Sequence, residues 1–187
     1  VRRGLWPRGP MALGKKVSGA RLGIVGLGRI GKAIAQRAQA FGMSIAYTAR
    51  SQRAELPYTF YPTPTELAAH CDYLVLITPG GAGTNKLINA EVLKALGPEG
   101  ILVNVARGSV VDQEALIHAL QNGVIAGAGL DVFVDEPNVP AELRKLDNVV
   151  LTPHIASGTV ETRKAMSALA LANLAAHFAG QPVKTPV

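Results

Sequence analysis

The sequence predicts a doubly wound α/β fold, a parallel sheet flanked by helices. Three observations carry that reading. Short, near-continuously apolar runs recur along the chain, as in strands buried on both faces. Helical stretches with apolar residues at three- and four-residue spacing lie between them, and a glycine-rich turn joins the first run to the first helix. The 187 residues are 48% hydrophobic and 17% charged, enough for one core and unlike a disordered chain. Aromatics are only 5%, so that core is aliphatic.

Residues 1–18 read as an arm or linker. Val1 to Pro10 is rich in Gly and Pro and lacks any period, and Val17-Ser18-Gly19-Ala20 leads into the first strand. Residues 19–187 form the domain proper. Strands are predicted over Leu22–Val25, Ser44–Thr48, Tyr73–Thr78, Ile101–Val105, Gly127–Asp131 and Val149–Thr152. Helices are predicted over Ile30–Phe41, Thr65–Ala69, Asp112–Asn122 and, longest and last, Val160–Ala179. Pro64-Thr65-Glu66 opens the second helix. Asp112 caps the third, with Glu114 in its first turn, and Asn122-Gly123 stops it.

A single cysteine, Cys71, rules out a disulfide framework and a thiolate-rich zinc site, and its apolar surroundings predict a small buried residue. His70, His118 and His177 match no motif and are expected to be structural; no metal site is expected. No apolar run reaches the roughly 18 residues of a membrane span, and no signal-peptide core opens the chain. A cytoplasmic setting without membrane contact is therefore expected. The net charge of +6 is uneven: residues 1–54 hold 11 Lys or Arg and no acid. Nucleic-acid binding is one reading of that excess, but a phosphorylated small molecule explains it equally well, and the stacking aromatics that single strands require are lacking.

The turn after the first strand reads Val25-Gly26-Leu27-Gly28-Arg29-Ile30-Gly31, a G-x-G-x-x-G string opening a helix. Gly26 permits the tight turn, Gly28 lets the backbone approach a pyrophosphate, and Gly31 allows close packing of helix on strand. Helix N–H groups and the helix dipole favour the phosphates there, so Leu27, Arg29 and Ile30 join the glycines as expected cofactor contacts. This is the fingerprint of a Rossmann-type dinucleotide site; a merely structural turn is the alternative. The acid that usually follows about 20 residues later, to bind the adenosine ribose, is absent: residues 32–54 contain none. Arg50, Ser51 and Arg53 stand there instead, suited to a 2′-phosphate, although two solvated arginines would read the same. NADP(H) is the expected cofactor, with NAD(H) left open.

Three strings follow later strand ends: Asn104-Val105-Ala106-Arg107-Gly108-Ser109, Gly129-Leu130-Asp131 through Glu136-Pro137, and Thr152-Pro153-His154-Ile155-Ala156-Ser157-Gly158. Together with the glycine turn, their order and wording resemble the D-isomer-specific 2-hydroxyacid dehydrogenase family. Within it the chain is most similar to the NADP-dependent hydroxypyruvate, glyoxylate and hydroxyphenylpyruvate reductases. The resemblance implies that Arg107, Glu136 and His154 are catalytic. The chemistry agrees. A 2-keto acid needs a guanidinium fork for its carboxylate and a proton donor for the developing alkoxide, and a carboxylate beside an imidazolium stabilises it. The resemblance also implies weaker cofactor roles for Thr78, Pro79, Val105, Ala106, Arg107, Asp131, His154 and Ser157. Glutamate at 136, where the formate dehydrogenase branch has Gln, speaks against that branch.

The expected activity is thus reduction of glyoxylate, hydroxypyruvate or an aryl pyruvate to the D-2-hydroxy acid. A second reading on the same fold is a non-catalytic dinucleotide sensor like the C-terminal-binding-protein corepressors, which the presence of all three catalytic residues disfavours. Members of the family place a substrate domain upstream of the cofactor domain. This chain opens at the approach to the cofactor domain and is expected to bind NADPH but reduce 2-keto acids poorly by itself. The arm around Trp6 resembles the family's dimerisation segment, so a homodimer through arm and cofactor domain is expected. Light scattering at micromolar concentration should give twice the 19.5 kDa chain mass; a monomeric mass would count against the dimer.

Overall fold

The computed structural model describes residue 9 and residues 13–186. The arm around Trp6, and its expected role in dimerisation, lie outside the described residues. The elements run β1 (Arg21–Val25), α1 (Arg29–Gln39), β2 (Ser44–Thr48), β3 (Thr59–Phe60), α2 (Pro64–Ala69), β4 (Tyr73–Leu76), α3 (Ala90–Leu96), β5 (Ile101–Asn104), α4 (Gln113–Gln121), β6 (Gly127–Leu130), α5 (Ala141–Arg144), β7 (Val149–Leu151) and α6 (Val160–Phe178). The chain divides into two compact units, one ending at Leu151 and one beginning at Thr152.

The first unit is the α/β fold that the sequence predicts. Its seven strands are all parallel, in the order β3-β2-β1-β4-β5-β6-β7. The order reverses between β1 and β4, and such switch points open a crevice beyond the strand ends. The register aligns Thr48, Val25, Leu76, Asn104, Leu130 and Leu151 in one row across the sheet. Every motif singled out in the sequence lies in a segment that leaves this row.

Strand alternation sends residues to two cores. On β1, Leu22 and Ile24 join Ala35 and Ala38 of α1, whereas Val25 faces the opposite cluster. On β4, Leu74 and Leu76 pack with α2, α3 and α4, while Tyr73 and Val75 turn towards the α1 side. Gly23 on β1 leaves room for Cys71 and Leu67, since a Cβ there would meet the Cys71 Sγ at 2.9 Å. Cys71 is buried at 4% exposure, and burial pushes its thiol up to about 12, so it is chemically inert.

Predicted and observed elements differ mainly at their ends. β4, β5, β6 and β7 stop one or two residues earlier than expected, because the chain leaves the sheet to build the loops at its edge. α1 ends at Gln39, and Gly42, at φ 67°, turns the chain towards β2. The sequence reading lacked α3, α5 and the two-residue β3. Asp112 caps α4 as expected, its Oδ1 accepting from the Ala115 N–H, and α2 starts at Pro64 behind a cap the sequence did not announce, Thr63, whose Oγ1 accepts from the Glu66 N–H.

The second unit holds a loop, the long helix α6 and a tail. Thr159 caps α6 by accepting from the Thr162 N–H at 3.1 Å. Asn173 ties the tail back, accepting from the Lys184 N–H and donating to the Thr185 hydroxyl. No helix among the described residues is long and apolar enough to cross a membrane.

Between β1 and β4, the Arg21 guanidinium grips Asp72 through two bonds of 2.9 and 3.2 Å, and the Arg21 N–H donates a third. These bonds hold the Asp72 carboxyl well below the usual carboxylate range, chiefly through the Arg21 side chain. A depressed folded pKa adds stability that is complete above the unfolded value of about 4 and is lost as the pH falls below it. Asp72→Asn should cost about 1 kcal/mol at pH 7, read from urea midpoints. The gap to wild type should stay constant down to about pH 5 and narrow at more acid pH.

Candidate functional site

A cleft of about 720 Å³ opens at the switch point, built entirely from the first unit. Gly26, Leu27 and Gly28 from the glycine turn line it, facing Thr78 and Pro79 beyond β4. Gly26 has φ 99°, a region that disfavours side chains, and a Cβ there would also press on the Thr78 backbone at 3.0 Å. A Cβ on Gly31 would collide with the Gly26 carbonyl, so helix and turn can approach only because both lack one. At Gly28 a Cβ would meet nothing within 4 Å: the space above it is open to a ligand. Arg29, Ile30 and Gly31 start α1 but do not line the cleft.

The start of α1 carries no acid and opens on the cation Arg29. Among the α-helices of the described residues, it alone has neither a side-chain cap nor an acid in its first turn. Its free N–H groups and positive dipole end are left for an anion. At the end of β2, Arg50, Ser51 and Arg53 line the same cleft, and no carboxylate lines it. Both charge and shape therefore fit a phosphorylated dinucleotide.

One part of this cleft escaped the sequence reading. The run Gly80-Gly81-Ala82-Gly83-Thr84 forms its far wall, with Thr84 Oγ1 donating to the Pro79 carbonyl at 2.8 Å. The signal was available, since a glycine-rich run after a strand at the switch point marks close approach to a ligand.

Arg107 stands at the entrance of a 3-10 turn, Gly108–Val110, beyond β5. Buried Asn104 clips the loop on both sides, accepting from the Ala106 N–H at 3.0 Å and donating to the Arg107 carbonyl at 3.1 Å. The Arg107 stem lies over Gly80 of the cleft wall, where a Cβ would meet its Cγ at 2.9 Å. Its guanidinium donates to the Ala106 carbonyl at 2.6 Å. Val105 and Ala106 form the loop beneath and do not line the cleft. Asp131 follows β6 and is buried, its N–H donating to the Asn104 carbonyl.

Glu136 sits on the next loop, where its Oε1 accepts from the Phe133 N–H at 2.9 Å. Gly108 brings this loop against that of Arg107, because its missing Cβ would overlap the Phe133 carbonyl group. The structure thus brings Arg107 and Glu136 onto adjoining loops. His154 and Ser157 belong to the second unit, in its exposed opening loop, with His154 at φ 51° and its N–H donating to the Thr152 carbonyl. Among the described residues, no group of three or more His, Cys, Asp or Glu could hold a metal ion.

Comparisons with known proteins bear on the family and the fold. Residues 1–156 match the family model described as D-isomer specific 2-hydroxyacid dehydrogenase, NAD binding domain. The whole chain is 52% identical to a hydroxyphenylpyruvate reductase from Plectranthus scutellarioides and 49% to glyoxylate/hydroxypyruvate reductase A from Arabidopsis thaliana, covering 60% of each. Among solved structures it resembles the NADPH-dependent glyoxylate/hydroxypyruvate reductase of Sinorhizobium meliloti in complex with NADP and malonate. That match has a TM-score of 0.93 and 52% identity, covering all of this chain and 59% of that one. The chain thus spans about 60% of the length of the relatives it matches.

The contact of Gly108 with Phe133 makes a sharp test. Gly108→Ala should lower the Tm by about 5–10 °C, from an overpacking cost of about 2–3 kcal/mol. Gly83→Ala, where a Cβ meets nothing within 4 Å, should leave the Tm within about 1 °C. Calorimetry of both variants checks the pair.

Proposed function

The chain belongs to the D-isomer specific 2-hydroxyacid dehydrogenase family, and on that premise we propose that it is the cofactor-binding part of an NADPH-dependent 2-keto acid reductase. One observation carries the cofactor choice: a dinucleotide-sized cleft bearing Arg50, Ser51 and Arg53 and lined by no carboxylate. A carboxylate there would repel a 2′-phosphate, whereas guanidinium groups and a hydroxyl bind it. The glycine turn and the uncapped start of α1 would hold the pyrophosphate. Thr78 and Pro79, which line the cleft, are assigned to the same cofactor, and Val105, Ala106 and Asp131, which do not line it, are assigned on the family resemblance alone.

The reduction needs two electrons and a proton delivered to one carbonyl. When bound, the nicotinamide supplies hydride to C2 of the keto acid. Arg107 holds the substrate carboxylate and polarises the neighbouring carbonyl. His154 donates the proton that makes its oxygen a hydroxyl, and Glu136 stabilises the imidazolium beforehand and orients the ring. Glyoxylate, hydroxypyruvate and an aryl pyruvate remain candidate substrates, in keeping with the names of the relatives. Those names are of reductases, so the dinucleotide-sensing corepressor draws no support from them. A homodimer and a cytoplasmic location complete the proposal.

The chain should bind NADPH at least about tenfold more tightly than NADH, a difference of about 1.4 kcal/mol, and Arg50→Ala/Arg53→Ala should abolish the preference. When the chain is joined to a substrate domain of the family, His154→Gln should lower kcat by about 100-fold or more. Titration of the chain with each cofactor reads the first prediction and NADPH oxidation by the joined protein across a panel of 2-keto acids reads the second; a preference for NADH would overturn the cofactor assignment.

A further inference from the structure

Tyr47 is the largest fully buried side chain of the domain, at 0% exposure, yet it ends in a hydroxyl. It lies on β2 with its ring against Phe60 of β3, the centroids 5.4 Å apart and tilted by 56°. That packing fixes where the hydroxyl points. The oxygen accepts from the Arg53 N–H at 2.6 Å and lies 3.5 Å from the Arg53 carbonyl oxygen. The same carbonyl accepts from the Leu56 N–H at 3.1 Å, so Arg53 is held at both its amide and its carbonyl.

Between Tyr47 and Arg53 the chain leaves β2 and forms no helix or strand, and this stretch carries Arg50, Ser51 and Arg53 to the cleft. An unrestrained loop would spend conformational entropy at the moment of binding, which lowers affinity for whatever it recognises. A phenylalanine would fill the same core volume. The hydroxyl therefore serves the loop, not the core.

We propose that the Tyr47 hydroxyl is a positioning residue for 2′-phosphate recognition, clipping the Arg50–Arg53 loop into its binding shape by holding the Arg53 backbone. The proposal rests on the reading that this loop takes the cofactor's 2′-phosphate. It makes Tyr47 a determinant of cofactor choice without contact to the cofactor. NADH lacks the 2′-phosphate that this loop is proposed to hold, and its binding is indifferent to the clip. Tyr47→Phe keeps the ring and its packing on Phe60 and removes the hydroxyl alone, and a cooperative thermal transition near that of the wild-type chain checks that the variant is folded.

Titrating NADPH and NADH into the wild-type chain, Tyr47→Phe, Arg50→Ala/Arg53→Ala and the triple variant tests this. Tyr47→Phe should weaken NADPH by about three- to tenfold, as expected for one lost hydrogen bond, and leave NADH within about twofold. In the Arg50→Ala/Arg53→Ala background it should have no further effect on NADPH affinity, since the guanidinium groups that the clip positions are gone while its backbone bond remains. In the wild-type chain the Arg53 amide should exchange its hydrogen at least about tenfold more slowly than an open loop amide. Unchanged selectivity in Tyr47→Phe, equal weakening of both cofactors, or open-loop exchange at Arg53 would overturn the positioning role while the cofactor reading stood. A wild-type chain that does not prefer NADPH would overturn the cofactor reading itself, and this proposal with it.

Discussion

The architecture depends on one close approach, the meeting of the β1–α1 turn with the chain leaving β4. Gly26 at φ 99° touches the Thr78 backbone, and Gly31 touches the Gly26 carbonyl. Side chains at either position would push helix, turn and neighbouring strand apart. Because they are absent, three stretches of backbone converge where the strand order reverses, and Gly26, Leu27 and Gly28 line the crevice between them. The register then does the rest. It aligns the strand ends in one row, so loops far apart in sequence start from a common edge.

Loops at such an edge need restraint, and here polar side chains provide it. Asn104 closes the loop before Arg107, Glu136 closes its own turn on Phe133, Thr84 closes the glycine run, and Tyr47 closes the arginine loop. Each satisfies backbone groups that the sheet has abandoned. The buried members of this set, Asn104 and Tyr47, are polar atoms inside an aliphatic core, where an unpaired group would be costly. Their presence is explained by the loops they hold.

Much of this was legible in the sequence. β2 was read to the residue, and the apolar runs marked β1 and β4 to β7 because parallel strands buried on both faces leave an unbroken hydrophobic signature. Pro64, Asp112 and Gly123 announced helix ends through local chemistry alone. Short elements were not legible. β3 is two residues whose pairing depends on β2 being in place, and α5 is a single turn. α3 spans only seven residues, although Asn89 and Gly97 bracket it with ordinary cap signals. At the site, the glycine turn after β1 and the arginines after β2 declared themselves, whereas Asn104, Tyr47 and the glycine run after Pro79 did not. A buried hydroxyl or amide looks like any other core residue until its partner, several residues away, is seen.

The overlap that Gly108 would create with Phe133 ties two neighbouring loops at their backbones. A guanidinium and a carboxylate mounted on these loops therefore share a frame, and small shifts of the sheet move both together. Substitutions around that frame change what lies beside the pair, while the spacing of the two charges is kept.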